Sequence, residues 1–438
     1  MSKQIAFTVF LLIASGVFGY TVNRLISFFR ITKRDFKIDN IGERTKTTLL
    51  VAFGQTKILR KPVIGLLHAL VWWGFIVITI GTAEMAIDGV AGTERILQFL
   101  GPLYTLIVAS GDIFAAIIII ACVAFLVRRH IMKVKRFEGV EMTHKSHWDA
   151  TIALLMILLL MVSLMGMNMG YMQSVENYVG AFPVSAMFLG MISGMSPESV
   201  HLFHETNWWT HIVMVFVFLN VLPYSKHFHV IMSVPNVFLT DLKPYTKMHN
   251  MPAVTKEVEL MMNPDTAFAA PPEGEEAAPP SRFGVKDIED ITWKNYVDSL
   301  TCTQCGRCTE VCPANITGKL LSPRKIMVDV RRRMKDKGPH FAKDNNYTDG
   351  KSLVGDYISK EELLACTSCN ACVQECPVNI DHVSIIMDAR RYLVMEESSA
   401  PNEWNMMFTN IENNGAPWQF SPEDRMNWAE GIQLKVNG

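Results

Sequence analysis

The sequence predicts an all-α protein, a five-helix transmembrane bundle followed by a small helical domain in water. Three observations predict it: apolar residues crowd the first half, a proline- and alanine-rich stretch follows residue 260, and eight of the nine cysteines lie beyond it in two copies of one short pattern. With 49% hydrophobic and 19% charged residues among 438, and a mean hydropathy of +0.18, the chain is too apolar for an ordinary soluble protein. A net charge of -1 gives no reason to expect nucleic-acid binding.

The bundle comes first. A helix needs roughly 20 apolar residues to cross the hydrocarbon core, and five runs qualify: Ile5 to Phe29, Val63 to Ala86, Leu103 to Val127, Trp148 to Met172 and Asn207 to Ser225. The first lacks a small-residue cleavage site and runs into basic residues, so it reads as an anchor and not as a signal peptide. A shorter, glycine-rich run from Ala181 to Met195 is expected at the interface or folded back between helices. Basic flanks set the orientation. "RITKRDFK" follows the first span, "KILRKP" precedes the second and "RRHIMKVKR" follows the third, whereas Tyr171 to Asn207 has no Lys or Arg. The N-terminus is therefore expected outside and everything after Ser225 in the cytoplasm.

From Asn263 to Gly284 the chain reads "NPDTAFAAPPEGEEAAPPSRFG", the composition of a linker. The expected division is 1–250 membrane domain, 251–284 linker, 285–400 soluble domain and 401–438 a tryptophan-containing tail. The soluble part carries charged helical patterns such as "PRKIMVDVRRRMKDK". No glycine-rich phosphate loop or nucleotide fingerprint is found.

The soluble part owes its chemistry to "LTCTQCGRCTEVCPAN", which returns sixty-four residues later as "LACTSCNACVQECPVN". Thiolates at i, i+3 and i+6 serve one iron–sulfur cubane, while the fourth cysteine, followed by proline, serves the neighbouring one. Crossed ligation then assigns Cys302, Cys305, Cys308 and Cys376 to one [4Fe–4S] cluster, and Cys366, Cys369, Cys372 and Cys312 to the other. Zinc and disulfides are the alternatives; zinc favours paired CxxC without this proline, and disulfides are disfavoured in a reducing compartment. Cys122, alone in the third span, reads as a small buried apolar residue.

A haem b between helices needs two imidazoles at matching depth. His68, two turns into the second span, and His229, just past the fifth, are level on the cytoplasmic side. His211 lies eighteen residues before His229, five helical turns and about 27 Å further out, with Pro223 between them. Three readings of it stay open: ligand of a second haem with His201 or His204, quinone ligand, or structural histidine. His227 is less well spaced than His229, and His144 and His147 read as surface or capping groups. The 26 methionines read as packing residues, and Trp72, Trp73, Trp208 and Trp209 as bundle packing or interface anchors. Glu84 and Asp88 are candidate proton carriers by topology.

The cysteine runs resemble the helical ferredoxin domain found in the C subunit of heterodisulfide reductase and in the iron–sulfur protein of anaerobic glycerol-3-phosphate dehydrogenase, over Lys286 to about Ala400. "APWQFSPEDRMNWAEGI" is similar to the segment that leads, in single-chain relatives, into a domain with CCG motifs. The chain has no such motif, so that domain is expected on a separate polypeptide. The five spans, "FLNVLPYSKHFH" and the His211–His229 spacing resemble the cytochrome b that forms the gamma subunit of respiratory nitrate reductase, and its relatives in sulfite-reduction complexes. The resemblance implies haem b on His68 and His229 in a bacterial cytoplasmic membrane. It also requires a histidine ten residues after His68, where this chain has Ile78.

The function expected is that of a subunit of a quinone-linked respiratory oxidoreductase, passing electrons between a membrane quinone (menaquinone), haem b, two [4Fe–4S] clusters and a cytoplasmic CCG-domain or flavoprotein partner. The alternative is a membrane anchor without haem that senses redox state or tethers a partner.

Overall fold

Helices carry the whole architecture, and among the described residues there is no strand, only isolated bridges such as Lys33 with Thr292. A computed structural model describes residues 2–34, 36–244, 247–263 and 282–432. Most of the expected linker, residues 264–281, lies outside the described residues.

The membrane part runs α1 (Ser2–Phe29), α2 (Ile41–Thr48), α3 (Pro62–Ala91), α4 (Pro102–His130), α5 (His144–Ser174), α6 (Pro197–Val221) and α7 (His229–Phe238). By length and composition α1, α3, α4 and α5 can each cross a membrane. The fifth candidate is bent by 98° between Pro197–Tyr224 and Lys226–Phe238. Pro223, which cannot donate an intrahelical bond, sits at this break. Starts are marked locally: Pro62, Pro102 and Pro197 occupy first turns, and Thr143 and Ser196 accept from Ser146 N and Ser199 N. Past the bend come α8 (Pro252–Met262), α9 (Trp293–Thr301), α10 (Pro323–Phe341), α11 (His382–Arg391) and α12 (Asn402–Asn414).

In the bundle α5 packs against α4 and α6, α3 against α4 and α1, and α1 also against α6. Small residues permit the closest approach. A Cβ on Gly170 would lie 2.8 Å from His204 Cβ and 3.0 Å from its Cα, so α6 comes this close to α5 there because the residue is glycine, while one on Gly166 would displace the Asn207 side chain. Cys122 is 1% exposed in a cluster with Ile118, Leu160 and Met165, the setting of an apolar filler. The Ala181–Met195 run folds back: Ser185 is fully buried and, with Val184, donates its backbone N–H to Asp112 of α4 at 3.0 and 2.8 Å.

The packing does not separate membrane helices from cysteine segment. Met1–His249 and Asp287–Ile386 form one compact unit. Buried polar contacts join them. Arg324, 1% exposed, reaches Glu141 Oε1 at 2.5 Å and the carbonyls of Arg136 and Glu138 at 2.6 Å each, while Ser322 Oγ donates to the same Glu141 oxygen at 2.8 Å. Asn236 Nδ2 donates to Val378 O at 2.8 Å, and Asn236 Oδ1 accepts from Lys294 Nζ at 3.0 Å. Within the segment, fully buried Arg333 forks onto Asp287 at 2.8 and 2.7 Å and reaches Asp349 at 2.6 Å.

Asn250–Lys286 and Met387–Gly438 make a second unit. Gly284 has φ +74, and a Cβ there would meet Asp388 O at 2.0 Å; Val285 N donates to that carbonyl at 3.0 Å. In this unit Trp404 is half-buried with Arg390 5.7 Å from its ring, whereas Trp418 and Trp428 are 53% and 68% exposed.

Candidate functional site

Each cysteine run is shaped by the same backbone device. Cys302 caps α9, Gln304 and Gly306 follow with φ +57 and +76, a short turn carries Cys308, and Cys312 precedes Pro313 in the first turn of the next. In the second copy Ser368 and Asn370 take φ +56 and +57 at the same offsets from Cys366, the turn Ala371–Glu375 carries Cys372, and Cys376 ends it. Left-handed residues between successive cysteines curl the chain around one point. Gly306 has a second reason to be glycine, because a Cβ would lie 2.3 Å from Arg136 O.

Cys302, Cys308, Cys312, Cys372 and Cys376 are buried, Cys305 and Cys366 half-buried, and Cys369 exposed. Burial pushes the Cys376 thiol up to about 12 and those of Cys308 and Cys372 well above the usual value. After burial come the neighbouring sulfurs, and these cross between the runs. Cys308 feels Cys305, Cys302 and Cys376, with Cys372 last; Cys372 feels Cys366, Cys312 and Cys369. Such thiols, crowded and dry, are stabilised as thiolates only by a cation or cluster.

His68 of α3 and His229 at the start of α7 face each other with ring centroids 6.4 Å apart and planes at 31°. His229 Nδ1 donates to Lys226 O at 2.9 Å, which leaves Nε2 as its open nitrogen. His68 Nδ1 is buried with no hydrogen-bond partner among the described residues. Two imidazoles bound to one iron through bonds of about 2.0 Å have centroids about 6.3 Å apart, so the pair fits a bis-histidine iron. His227 turns Nδ1 to Ser225 Oγ at 3.1 Å.

Two residues not singled out in the sequence join this pair to the cysteines. Lys57, buried in the turn before α3, donates to Cys376 O at 3.2 Å, and its ammonium is held below the usual lysine value by burial. Arg307, beside Cys308, donates to Lys57 O at 3.1 Å, and its charge reaches His68. Neither forms a motif, so only their placement reveals them.

The other candidates sit elsewhere. His211 is 1% exposed at the end of the bundle remote from the cysteines, with Nδ1 2.9 Å from Leu160 O and 3.3 Å from Ser163 Oγ. It lines a cavity of about 500 Å³ with Ile78, His201 and His204. Glu84 and Asp88 line it too, but as staples of the α3–α4 loop. Glu84 accepts from Leu97 N at 3.0 Å and Tyr104 OH at 3.2 Å, and Asp88 from Thr93 Oγ1, Arg95 N and Ile96 N at 2.6, 2.7 and 3.1 Å.

Residues 301–380 match the model of a 4Fe–4S dicluster domain. This part of the chain is an iron–sulfur domain. Over 98% of its length the chain is 26% identical to the probable iron-sulfur-binding oxidoreductase FadF of Bacillus subtilis, and over 98% it is 26% identical to the EtfAB:quinone oxidoreductase of Syntrophomonas wolfei. It spans 61% and 60% of those two proteins, which are longer. Over 24% of the chain it is 30% identical to the C subunit of the ferredoxin/F420H2-dependent CoB-CoM heterodisulfide reductase of Methanosarcina acetivorans, covering 52% of that protein. No solved structure matches. These likenesses support an electron-transfer role.

Proposed function

We propose that the chain is the membrane electron-transfer subunit linking a membrane quinone to a cytoplasmic electron-transfer flavoprotein. Cys302, Cys305, Cys308 and Cys376 would hold one [4Fe–4S] cluster, Cys366, Cys369, Cys372 and Cys312 the other, and His68 with His229 one haem b. When bound, these groups supply one-electron carriers between a two-electron quinone and its soluble partner. The nitrate reductase gamma resemblance supports the haem, and the name of the Syntrophomonas relative supports both quinone and partner. The flanking charges support a bacterial cytoplasmic membrane with the cysteine segment inside and the N-terminus outside.

The observation that carries this reading is the facing of His68 and His229 at 6.4 Å in the same compact unit as both cysteine runs. The residues of the chain do the positioning. His229 is oriented by Lys226 O, Lys57 holds Cys376 O, and Arg307, beside Cys308, holds Lys57 O and has its charge within reach of His68. Cys369, the exposed cysteine, puts its quartet nearest to a soluble partner. The boundaries at 250, 284 and 400, and the tail as a contact for that partner, belong to the same proposal.

A reduced-minus-oxidised spectrum of washed membranes tests it. Wild type is expected to give b-type bands, and His68→Ala and His229→Ala each to abolish the same bands while cluster EPR persists. Clusters without any b-type band would favour the anchor that senses or tethers. Full haem content in either variant would remove that histidine from the site.

A further inference from the structure

We propose that the cavity at the end of the bundle remote from the cysteines binds the ring of the quinone, with His211 Nε2 as hydrogen-bond partner of one ring oxygen. This rests on the electron-transfer reading above and gives its quinone a place. At about 500 Å³ the cavity has the size of a small-molecule site. Ile78 of α3, Leu164 and Met167 of α5 and Trp208 of α6 give it apolar walls, and charged and polar side chains, Glu84, Asp88, Arg95 and Glu205 among them, line the rest.

Among those, His211 has an open valence inside the bundle. Its Nδ1 sits 2.9 Å from Leu160 O, and a carbonyl only accepts, so Nδ1 carries the proton and Nε2 keeps its lone pair. A histidine 1% exposed among apolar helices gains from a donor at that nitrogen. A ring hydroxyl supplies one; a lipid chain does not. Asp112 and Glu84, buried acceptors on the cavity wall, are already engaged, Glu84 by Leu97 N and Tyr104 OH; for Asp112 the partners are more numerous. Asp112 takes Asn168 Nδ2 at 3.1 Å, Val184 N at 2.8 Å, Ser185 N at 3.0 Å and Ser185 Oγ.

A second haem competes for the space and fits it poorly. It needs an imidazole on each side of the iron. Ile78 offers none, and His204 and His201 stand on the same helix as His211. His204 is seven residues away, about 10.5 Å along the axis, so a porphyrin between the two would have to pass through the intervening turns of α6.

The test uses the full chain in membranes and a fluorescent hydroxyquinoline N-oxide, a quinol mimic whose quenching reports binding without any redox step. Wild type should bind about one per chain, and Ile78→Trp, which fills the cavity, and His211→Leu, which removes the acceptor, should each weaken binding about tenfold. Cluster EPR and haem bands should stay as in wild type. Binding unchanged in both variants overturns the proposal, and so does loss of half the haem b in His211→Leu, which would mark a second haem there. Should Ile78→Trp lose its clusters through misfolding, His211→Leu decides alone. Membranes with no haem b, whose binding still depends on His211, would sink the haem assignment and leave this site standing.

Discussion

Glu141 and Arg324 meet with both side chains 1% exposed, and among the described residues the guanidinium pairs with no other carboxylate. Removing one partner of such a pair leaves a buried charge uncompensated, at a cost of about 3–5 kcal/mol. Glu141→Ala is therefore expected to lower the midpoint of thermal unfolding followed by cluster absorbance, while Glu138→Ala, whose carbonyl and not its carboxylate is used, should leave it near wild type. A second pair sets a pH window. His249 Nε2 lies 2.6 Å from Asp241 Oδ2, beside Lys243 and Asp381. The hydrogen bond to Asp241 holds the imidazolium above its usual value; that stability is complete below about pH 6.5 and is lost as pH rises through the raised value. For Asp241 burial alone would raise the carboxyl, but hydrogen bonds from His249 and Lys243 N outweigh it, so its contribution is lost only as pH falls through a value below 3.8. Replacing His249 by Gln should flatten the fall in stability above neutrality, read from unfolding midpoints at several pH values; an unchanged slope would exclude this pair as its source.

At the scale of elements, the two cysteine runs are one loop built twice, with left-handed residues at the same offsets, and the proposed crossing gives the last cysteine of each to the other's cluster. Cys376→Ser is expected to disturb the EPR signal of the cluster on Cys302, Cys305 and Cys308 more than that of the cluster on its sequence neighbours Cys366, Cys369 and Cys372. A change confined to the local cluster would refute the crossing. The iron–sulfur pattern of the runs was legible because ligand chemistry fixes spacing, and the spans were legible because lipid fixes length and polarity. The charges of α10 were not. "PRKIMVDVRRRMKDK" shows in sequence only a charged helical pattern, yet Arg324, Asp329 and Arg333 are nearly or wholly buried among ion pairs, and a charge pattern alone does not say whether water or a carboxylate answers it. Asp112 was hidden for the same reason, its partners being supplied by a loop about seventy residues on.

At the scale of the whole molecule, the question is whether the iron–sulfur segment is a domain on a tether or part of the membrane unit. Composition favours the tether, since a proline-rich stretch precedes it. The packing of Asp287–Ile386 with Met1–His249 favours the second. In a fragment from Lys286 to Gly438, Arg324 would lose Glu141 and the carbonyls of Arg136 and Glu138, Gln304 would lose Lys226 and Ser146, and Cys376 O would lose Lys57. These groups surround the loop of Cys302 to Cys308 and the last cysteine, so the cluster they share should suffer first. Expressed alone, the fragment is expected to hold markedly less than eight irons, with the quartet of Cys302 the emptier; co-expressed with residues 1–263 it should recover both clusters and co-purify with the membrane half. Iron analysis with EPR of the isolated fragment decides between the two views, because a full complement in the lone fragment would mean that the contacts with the bundle orient the clusters without being needed to build them.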